Sequence, residues 1–596
     1  MKKLLLFFAL LAVSVSVKAA KAQSGTVTVK QSDGSLIRVI LHGDEHFSYS
    51  TTDDGVLLVQ EGNSYYIAKV KQDGTLASTA ILAHDSQTRN AEEVLAIEKQ
   101  DKSRFYAYMD SMAERFLSTR AVPAANPPLF PHTGSPKAIV ILVEFQDVPF
   151  TLTNPRKSFY QYLNGEGKPV NYGHNEDRNH GSVKQYFTDM SFGTYTPQFD
   201  VYGPVKLSQP LKHYGGDVGG VKDVNVRDMV TEACTLMDDS LDFSRYDSNH
   251  DGYADLVYLI YSGYSQSING NSTDCIWPKV FSVPERIYDG VKVARAGLNN
   301  ELIGFPGAFK KSPLQRINGI GLFCHEFSHC MGLPDFYPTY APARGDNQGM
   351  EDWSLMDGGE YVNNGYTPTA YTAWEREAFD WMSVETLSET TNAINIQPID
   401  KGGKAYRIVN DNDASGNEYF MMENIQQTGW NEKQRGHGLL IYHVNYDSYL
   451  FSLTANAVNN IKGKPRMTVV PADGLLNSSY VETNRDKLFA QYKGDPFPGT
   501  SGIHTFNDAM NLPNIKPYHG SKWDKSLTGI TEDTHSGLIT FNFIKGTPTA
   551  IDMPTTGNDV ENDRRIFTLD GRYMGTDINR LPKGIYIRNK EKIVIP

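Results

Sequence analysis

The sequence predicts a multidomain chain: a β-rich leading segment, an α/β domain, a β-sandwich and a small β appendix, in that order. Three observations carry this expectation. At 596 residues the chain is longer than one hydrophobic core serves. Apolar and polar residues alternate with a period of two over residues 24–83 and again over much of 386–543, as half-buried strands require. Between these stretches, continuous apolar runs are interleaved with helical spacing, the pattern of a sheet covered by helices.

The elements follow in order. Lys2 and Lys3 precede an apolar run over residues 4–17 and then Ala20-Lys21-Ala22, a small-x-small cleavage text. This reads as an export signal, with the mature chain beginning near Gln23. The run is shorter than the roughly 18 residues that a spanning helix needs, and no other stretch approaches that length, so no transmembrane segment is expected. Strands are expected at Thr26-Val27-Thr28-Val29, Ile37-Arg38-Val39-Ile40, Gly55-Val56-Leu57-Leu58-Val59 and Tyr65 to Val70, separated by Asp-Gly and Gly-Asn turns. A helix is expected over 91–117 and a proline-rich connector over 122–136.

The α/β domain opens at Lys137-Ala138-Ile139-Val140-Ile141-Leu142-Val143-Glu144-Phe145, whose β-branched run marks a buried strand. Ser182 is a candidate N-cap for the helix 182–191, and another strand is expected at 199–204. Asp247-Ser248-Asn249-His250-Asp251-Gly252-Tyr253-Ala254-Asp255 then places oxygen-bearing side chains at positions one, three, five and nine with glycine at six. That is the spacing of a calcium loop, with Asp247, Asn249, Asp251 and Asp255 as ligands and Tyr253 offering its carbonyl. Position twelve is Tyr258 rather than glutamate, so a full EF-hand is not expected.

The most informative stretch is Gly321-Leu322-Phe323-Cys324-His325-Glu326-Phe327-Ser328-His329-Cys330-Met331-Gly332-Leu333-Pro334-Asp335. Imidazoles four residues apart share one face of a helix and reach a single ion, with Glu326 beside them. Gly332 can cap the helix in a left-handed conformation and Pro334 cannot continue it, so the chain turns. The turn brings Asp335 back as a candidate third ligand, completing His325, His329 and Asp335 around a Zn2+ ion with one position open for water. Asp357 and Glu360 are alternative third ligands. Trp353-Ser354-Leu355-Met356-Asp357-Gly358-Gly359 sets a methionine in a Gly-rich turn that can pack beneath the metal.

On the text H-E-F-S-H-C-M-G-L-P-D and the W-S-L-M turn, the sequence resembles the metzincin metalloproteases, and within them the M6 or immune inhibitor A-like family. Tyr186-Phe187, Ser191, Gly193 and Tyr195 resemble the start of that family's protease unit. The resemblance runs from the leading segment to about residue 545. It implies a pro-segment over 23–136, a metzincin-like zinc protease domain over 137–385 and a β-sandwich over 386–546. Asp335 stands where a third histidine is usual in metzincins. The implied activity is that of a zinc metalloendopeptidase: Glu326 takes a proton from the attacking water and passes it to the leaving amine, and Tyr337 or Tyr361 donates to the oxyanion. Two other readings fit the same residues, a zinc amidase acting on cell-wall peptides and a non-catalytic surface protein with a structural zinc. The intact glutamate argues against the second.

The leading segment contains no cysteine, so latency by a thiolate is excluded. A carboxylate or histidine, for instance within His42-Gly43-Asp44-Glu45-His46, or steric cover remains. Cys324 and Cys330 cannot pair, because six helical residues at ~1.5 Å each put them roughly 9 Å apart along the axis. Any disulfide would involve Cys234 or Cys275. Glu423 and His443 lie on expected strands of the β-sandwich and are read as structural.

A Pro/Thr/Asn-rich linker begins the tail 547–596. Leu569-Asp570-Gly571-Arg572 followed by Leu581-Pro582-Lys583-Gly584-Ile585-Tyr586-Ile587 resembles the C-terminal sorting domain of type IX secretion. That resemblance implies a secretion machinery as partner, and a final location outside the cell or on its outer surface. A net charge of −12 offers no basic field for nucleic acid, leaving protein or peptide substrates as the expected partners.

Overall fold

Alternation along the chain decides the first sheet. The computed structural model describes residues 17–18, 20, 22–23, 25–43, 48–62, 64–109, 129–167, 170–171, 178–218, 221–268, 274–304, 316–482, 484–546, 566–568, 577–578, 581–588 and 591–595. Six antiparallel strands, Thr26–Lys30, Leu36–Gly43, Ser48–Thr51, Leu57–Glu61, Ser64–Val70 and Leu76–Leu82, pair in sequence order. Ile37, Val39 and Leu41 point to one face, where they meet Val29, Leu58, Tyr65, Ile67 and, from the α/β domain, Trp277. The turns are built as expected: Gly34 and Gly74 adopt positive φ, and Asp33 and Asp73 accept hydrogen bonds from the backbone two residues on.

The helix expected over 91–117 is interrupted. Ala91–Glu98 is helical, with Asn90 and Glu93 forming a capping box, and a second helical run occupies 102–109. Between them Gln100 bonds Leu57 through both its N–H and its carbonyl and also bonds the Ala68 carbonyl, which pins the chain to the sheet and breaks the helix. The rest of that expected helix and residues 122–128 of the proline-rich connector lie outside the described residues, as do most of the export signal and part of the tail.

The second six-stranded sheet has the order Val17–Lys18, Lys279–Tyr288, Val291–Leu302, Val257–Tyr264, Lys137–Glu144, Gln198–Lys206. The last four are parallel, while Lys279–Tyr288 is antiparallel to its neighbours. Lys137–Glu144 has no polar face: Ala138, Val140 and Leu142 pack with helices Pro155–Asn164, Val183–Met190 and Ile320–Met331, while Ile139, Ile141 and Val143 pack with helix Val226–Met237. Burial on both sides is why this run shows no alternation.

Beyond residue 385 a five-stranded sheet (Glu385–Thr386, Tyr406–Val409, Glu418–Ile425, Gly438–Asn445, Met467–Val469) faces a three-stranded one (Thr391–Ile396, Leu538–Lys545, Lys525–Asp533). Phe420, Met422 and Ile441 fill the space between them. On the opposite face of the larger sheet, Tyr419, Met421 and Tyr442 join the core that contains Phe327, Met356 and Trp374 of the α/β domain. One hydrophobic core therefore crosses the expected boundary. Trp353 Nε1 donates to Asp495 at 2.8 Å and Arg435 pairs with Asp352 at 3.0 Å across the same junction. In the tail, Phe567–Thr568, Gly584–Arg588 and Glu591–Ile595 form a small sheet over Ile566, Leu581 and Tyr586.

Candidate metal centre

Every residue of the helix Ile320–Met331 is buried, and glycine at two positions makes this possible. A Cβ on Gly321 would lie 2.0 Å from the Glu360 carbonyl oxygen, and one on Gly319 2.2 Å from the Gly365 carbonyl carbon. Backbone meets backbone here. At the other end Gly332 has φ +124° and its N–H bonds the Ser328 and His329 carbonyls, while Leu333 N–H also reaches Ser328. This is a helix stop of the kind expected from the sequence, and it returns Asp335 to the helix.

Each imidazole is oriented by one carbonyl. His325 Nδ1 lies 2.9 Å from Leu355 O and His329 Nδ1 2.7 Å from Leu333 O. A carbonyl only accepts, so both Nδ1 atoms donate and both Nε2 atoms present lone pairs. These Nε2 atoms are 3.2 Å apart, and Asp335 Oδ1 lies 3.3 Å from one and 3.2 Å from the other. Asp335 Oδ1 is buried and accepts no hydrogen bond. Three lone pairs thus converge with no proton among them, which is the electrostatic signature of a cation site. A tetrahedral zinc with bonds of about 2.0–2.1 Å separates its ligand atoms by about 3.3 Å. The residues fit that ion. Among the described residues, no other group of three His, Cys, Asp or Glu side chains gathers ligand atoms in this way.

The electrostatics agree. Burial lowers the His325 pKa, favouring the neutral ring that binds metal. For Asp335 burial pushes upward, but the adjacent imidazoles of His329 and His325 more than offset it and hold the carboxyl well below its ordinary value. The alternative ligands are placed elsewhere. Asp357 Oδ2 accepts the Met350 and Glu351 N–H groups at 2.9 Å each. Glu360 lies 3.7 Å from His325 Nδ1, on the ring edge away from the convergent Nε2 atoms.

Met356 is fully buried in the turn that delivers the Leu355 carbonyl. Glu375 anchors this turn: Oε1 accepts Ser354 Oγ at 2.7 Å and Met356 N–H at 3.4 Å, while Oε2 holds the cap of its own helix through Thr372. Burial raises the Glu375 pKa to about 7. Neither Glu375 nor Asn456, whose side chain bonds Asp335, was singled out from the sequence. Glu375 is hidden among core aromatics, and Asn456 stands in an Asn-rich text that reads only as loop.

Glu326 is fully buried, and its Oε1 accepts the Ala20 N–H at 2.9 Å. Ala20 lies two residues beyond the short edge strand Val17–Lys18, which pairs Val17 with Phe281 and Lys18 with Val280. Its carbonyl accepts from Trp277 Nε1 at 2.9 Å, and Gln23 N–H reaches Ser267 O at 3.3 Å. The chain's own N-terminal stretch therefore lies across the glutamate. His42, one of the residues considered for latency, bonds Thr51 Oγ1 at 2.9 Å and stacks on Tyr49 in the leading sheet, and residues 44–46 lie outside the described ones. Of the two tyrosines, Tyr361 shares a small apolar cluster with Ala20 and Leu322, and its phenol pKa is raised by burial, then by Glu360, with Glu326 also contributing. Tyr337 is buried.

The calcium-type loop is ordered by its own backbone. Asp247 accepts the Asp251 and Gly252 N–H groups at 3.0 Å each, Asp251 accepts Tyr253 N–H at 3.0 Å, and Ser248 N–H reaches both Asp255 oxygens at 3.4 and 3.3 Å. Asn249 lies among them, accepting from Asp251 N–H at 3.1 Å. Glu423 caps the helix Ala373–Ala378 through Ala373 N–H, and His443 pairs with Glu418 at 3.0 Å, so both are structural. All four cysteines are buried.

Residues 131–384 match the immune inhibitor A peptidase M6 catalytic domain. Over 291 residues the chain is 25% identical to the pre-pro-metalloprotease PrtV of Vibrio cholerae serotype O1, covering 42% of this chain and 31% of that protein. Over 280 residues it is 24% identical to immune inhibitor A of Bacillus thuringiensis subsp. alesti, covering 41% of this chain and 39% of that protein. The matched region thus spans between about a third and two fifths of these relatives.

Proposed function

Because residues 131–384 belong to the immune inhibitor A peptidase M6 family, we propose that the chain is a zinc-dependent endopeptidase, with His325, His329 and Asp335 as ligands and Glu326 as general base. The observation that carries this is the triangle of His325 Nε2, His329 Nε2 and Asp335 Oδ1, with sides of 3.2–3.3 Å, beside Glu326 on the helix that bears both histidines. When bound there, a zinc ion supplies Lewis acidity toward the scissile carbonyl and lowers the pKa of water.

The chain's own groups do the rest. Glu326 accepts the proton of the attacking water and returns it to the leaving amine, one carboxylate serving both steps. The donor to the oxyanion in this reading is Tyr361 or Tyr337, both of them buried. Val17–Lys18 pairs with one side of the strand Lys279–Tyr288, and an extended peptide substrate uses the same side once that stretch is gone. The latency device in this reading is steric: the Ala20 N–H holds Glu326 until an export cut near Gln23 removes it.

Export completes the proposal, with a signal over 1–22, a pro-segment over 23–136, protease and β-sandwich over 137–546, and a sorting tail over 547–596 that hands the protein to type IX secretion. Its support is the resemblance of the termini. No helix among the described residues is long and apolar enough to cross a membrane. Calcium at Asp247–Asp255 is proposed as a stability ligand, supported by the spacing and by the positive φ of His250 and Gly252. Casein digestion by the processed protein tests the central claim: it should be abolished by phenanthroline and by Glu326→Ala. A variant that still cleaves would remove Glu326 from its role.

A further inference from the structure

We infer that Asn456, a residue outside the 131–384 segment, is a positioning residue that fixes the metal-facing oxygen of Asp335; this rests on the zinc reading above. One side-chain amide holds Asp335 at both ends. Asn456 Nδ2 donates to Asp335 Oδ2, and Asn456 Oδ1 accepts the Asp335 backbone N–H at 2.8 Å. A carboxylate has two equivalent oxygens and two soft torsions. With Oδ2 claimed and the main chain locked to the same amide, only Oδ1 faces the histidines, at 3.3 and 3.2 Å.

A neutral donor suits this task. Lysine or arginine in the same place would drain the charge that Asp335 offers a cation, whereas an amide orients the carboxylate and leaves that charge intact. Asn456 is 2% exposed and its φ is +44°, a left-handed conformation that asparagine tolerates better than most residues.

The surrounding loop is built to hold the clamp in place. Thr339 Oγ1 donates to the Asn456 carbonyl at 2.9 Å, Asn459 Nδ2 reaches Phe336 O at 2.6 Å, and Asn460 accepts Tyr340 N–H at 2.8 Å. The whole segment 456–460 thus grips the chain from Asp335 to Tyr340. The metal site is completed by a loop that lies 121 residues beyond its third ligand.

The test uses the full chain. Zinc affinity is measured by competition with a chromophoric chelator, and the visible spectrum of the cobalt-substituted protein reports ligand geometry. Asn456→Gly, which keeps the left-handed backbone, should weaken zinc binding by roughly 10–100-fold and shift the cobalt bands. Asn456→Asp, isosteric but unable to donate as a carboxylate, should weaken it at least as much. Both should lower kcat with little change in KM, since Asn456 does not touch substrate. Asn460→Ala, which loosens the same loop without touching Asp335, should bind zinc within twofold of wild type. Asn456→Gly binding zinc as tightly as wild type would overturn the inference. Should that variant fail to fold, unchanged affinity in Asn456→Asp would overturn it equally. Wild-type protein that holds no zinc would instead defeat the metal assignment itself.

Discussion

Gly321→Ala separates two physical effects that pull in opposite directions. Inside an ordinary helix the change removes backbone freedom and stabilises by roughly 0.5–1 kcal/mol. Here the added methyl would sit 2.0 Å from the Glu360 carbonyl oxygen, 2.9 Å from its carbon and 3.1 Å from Gly365 Cα. All three are backbone atoms that cannot swing aside. Restoring ordinary contact requires about 1.4 Å of separation between the helix Ile320–Met331 and the segment Gly358–Gly365, beyond what a core absorbs at the usual overpacking cost of about 1–3 kcal/mol. The damage falls on one ligand. His325 rides on the helix, while the Leu355 carbonyl that orients it at 2.9 Å rides on the turn leading into Gly358–Gly365. His329 is oriented by Leu333 from its own helix end. A displacement of about 1 Å near a reacting centre costs roughly 100-fold. Gly321→Ala should therefore melt several degrees lower, bind zinc more weakly and lose about 100-fold in kcat/KM on a quenched peptide. A variant that melts at or above the wild-type temperature with undiminished kcat/KM would show that the two backbones are not in contact.

Other outcomes are expected. Glu375, raised from 4.5 to about 7 by burial, binds its proton more tightly folded than unfolded; its stabilising contribution is complete below pH 4.5 and lost as pH rises through 7, by about 3 kcal/mol. Urea unfolding should show the wild-type advantage over Glu375→Gln shrinking by that order between pH 5 and pH 8, and an equal gap at both would refute the assignment. Removing calcium with EGTA should lower the melting temperature before it changes kcat, an effect that Asp247→Ala should abolish. An EGTA-insensitive melt would leave Asp247–Asp255 as a plain turn. A chain that retains residues 17–22 should hydrolyse a short peptide at least tenfold more slowly than one beginning at Gln23, since Ala20 occupies Glu326; equal rates would exclude steric cover.

The helix Ile320–Met331 was legible because its signals are local. Imidazoles four residues apart share a face whatever surrounds them, and Gly332 with Pro334 announces a stop in any context. The Leu333 carbonyl, only four residues from His329, follows from the same turn. What could not be read is carried by distant contacts. The break at Gln100 depends on backbone groups of Leu57 and Ala68. The choice among Asp335, Asp357 and Glu360 depended on which carboxylates the neighbouring turns had already claimed. The strand Ser48–Thr51 lacks the apolar run that marked its neighbours, and the passage from the α/β domain to the β-sandwich looked like a boundary because composition changes there. Yet Tyr419, Met421 and Tyr442 alternate toward a core that begins at Phe130. Period-two spacing tells which residues share a face and says nothing of what lies opposite.

The separation between Asp335 and the amide that clamps it also sets a timetable. A ribosome that has just released the helix Ile320–Met331 must add 121 residues after Asp335 before Asn456 exists, about 6–24 seconds at roughly 5–20 residues per second. Over that interval, and in any product truncated within it, the nascent chain carries its two histidines but lacks their organised partner.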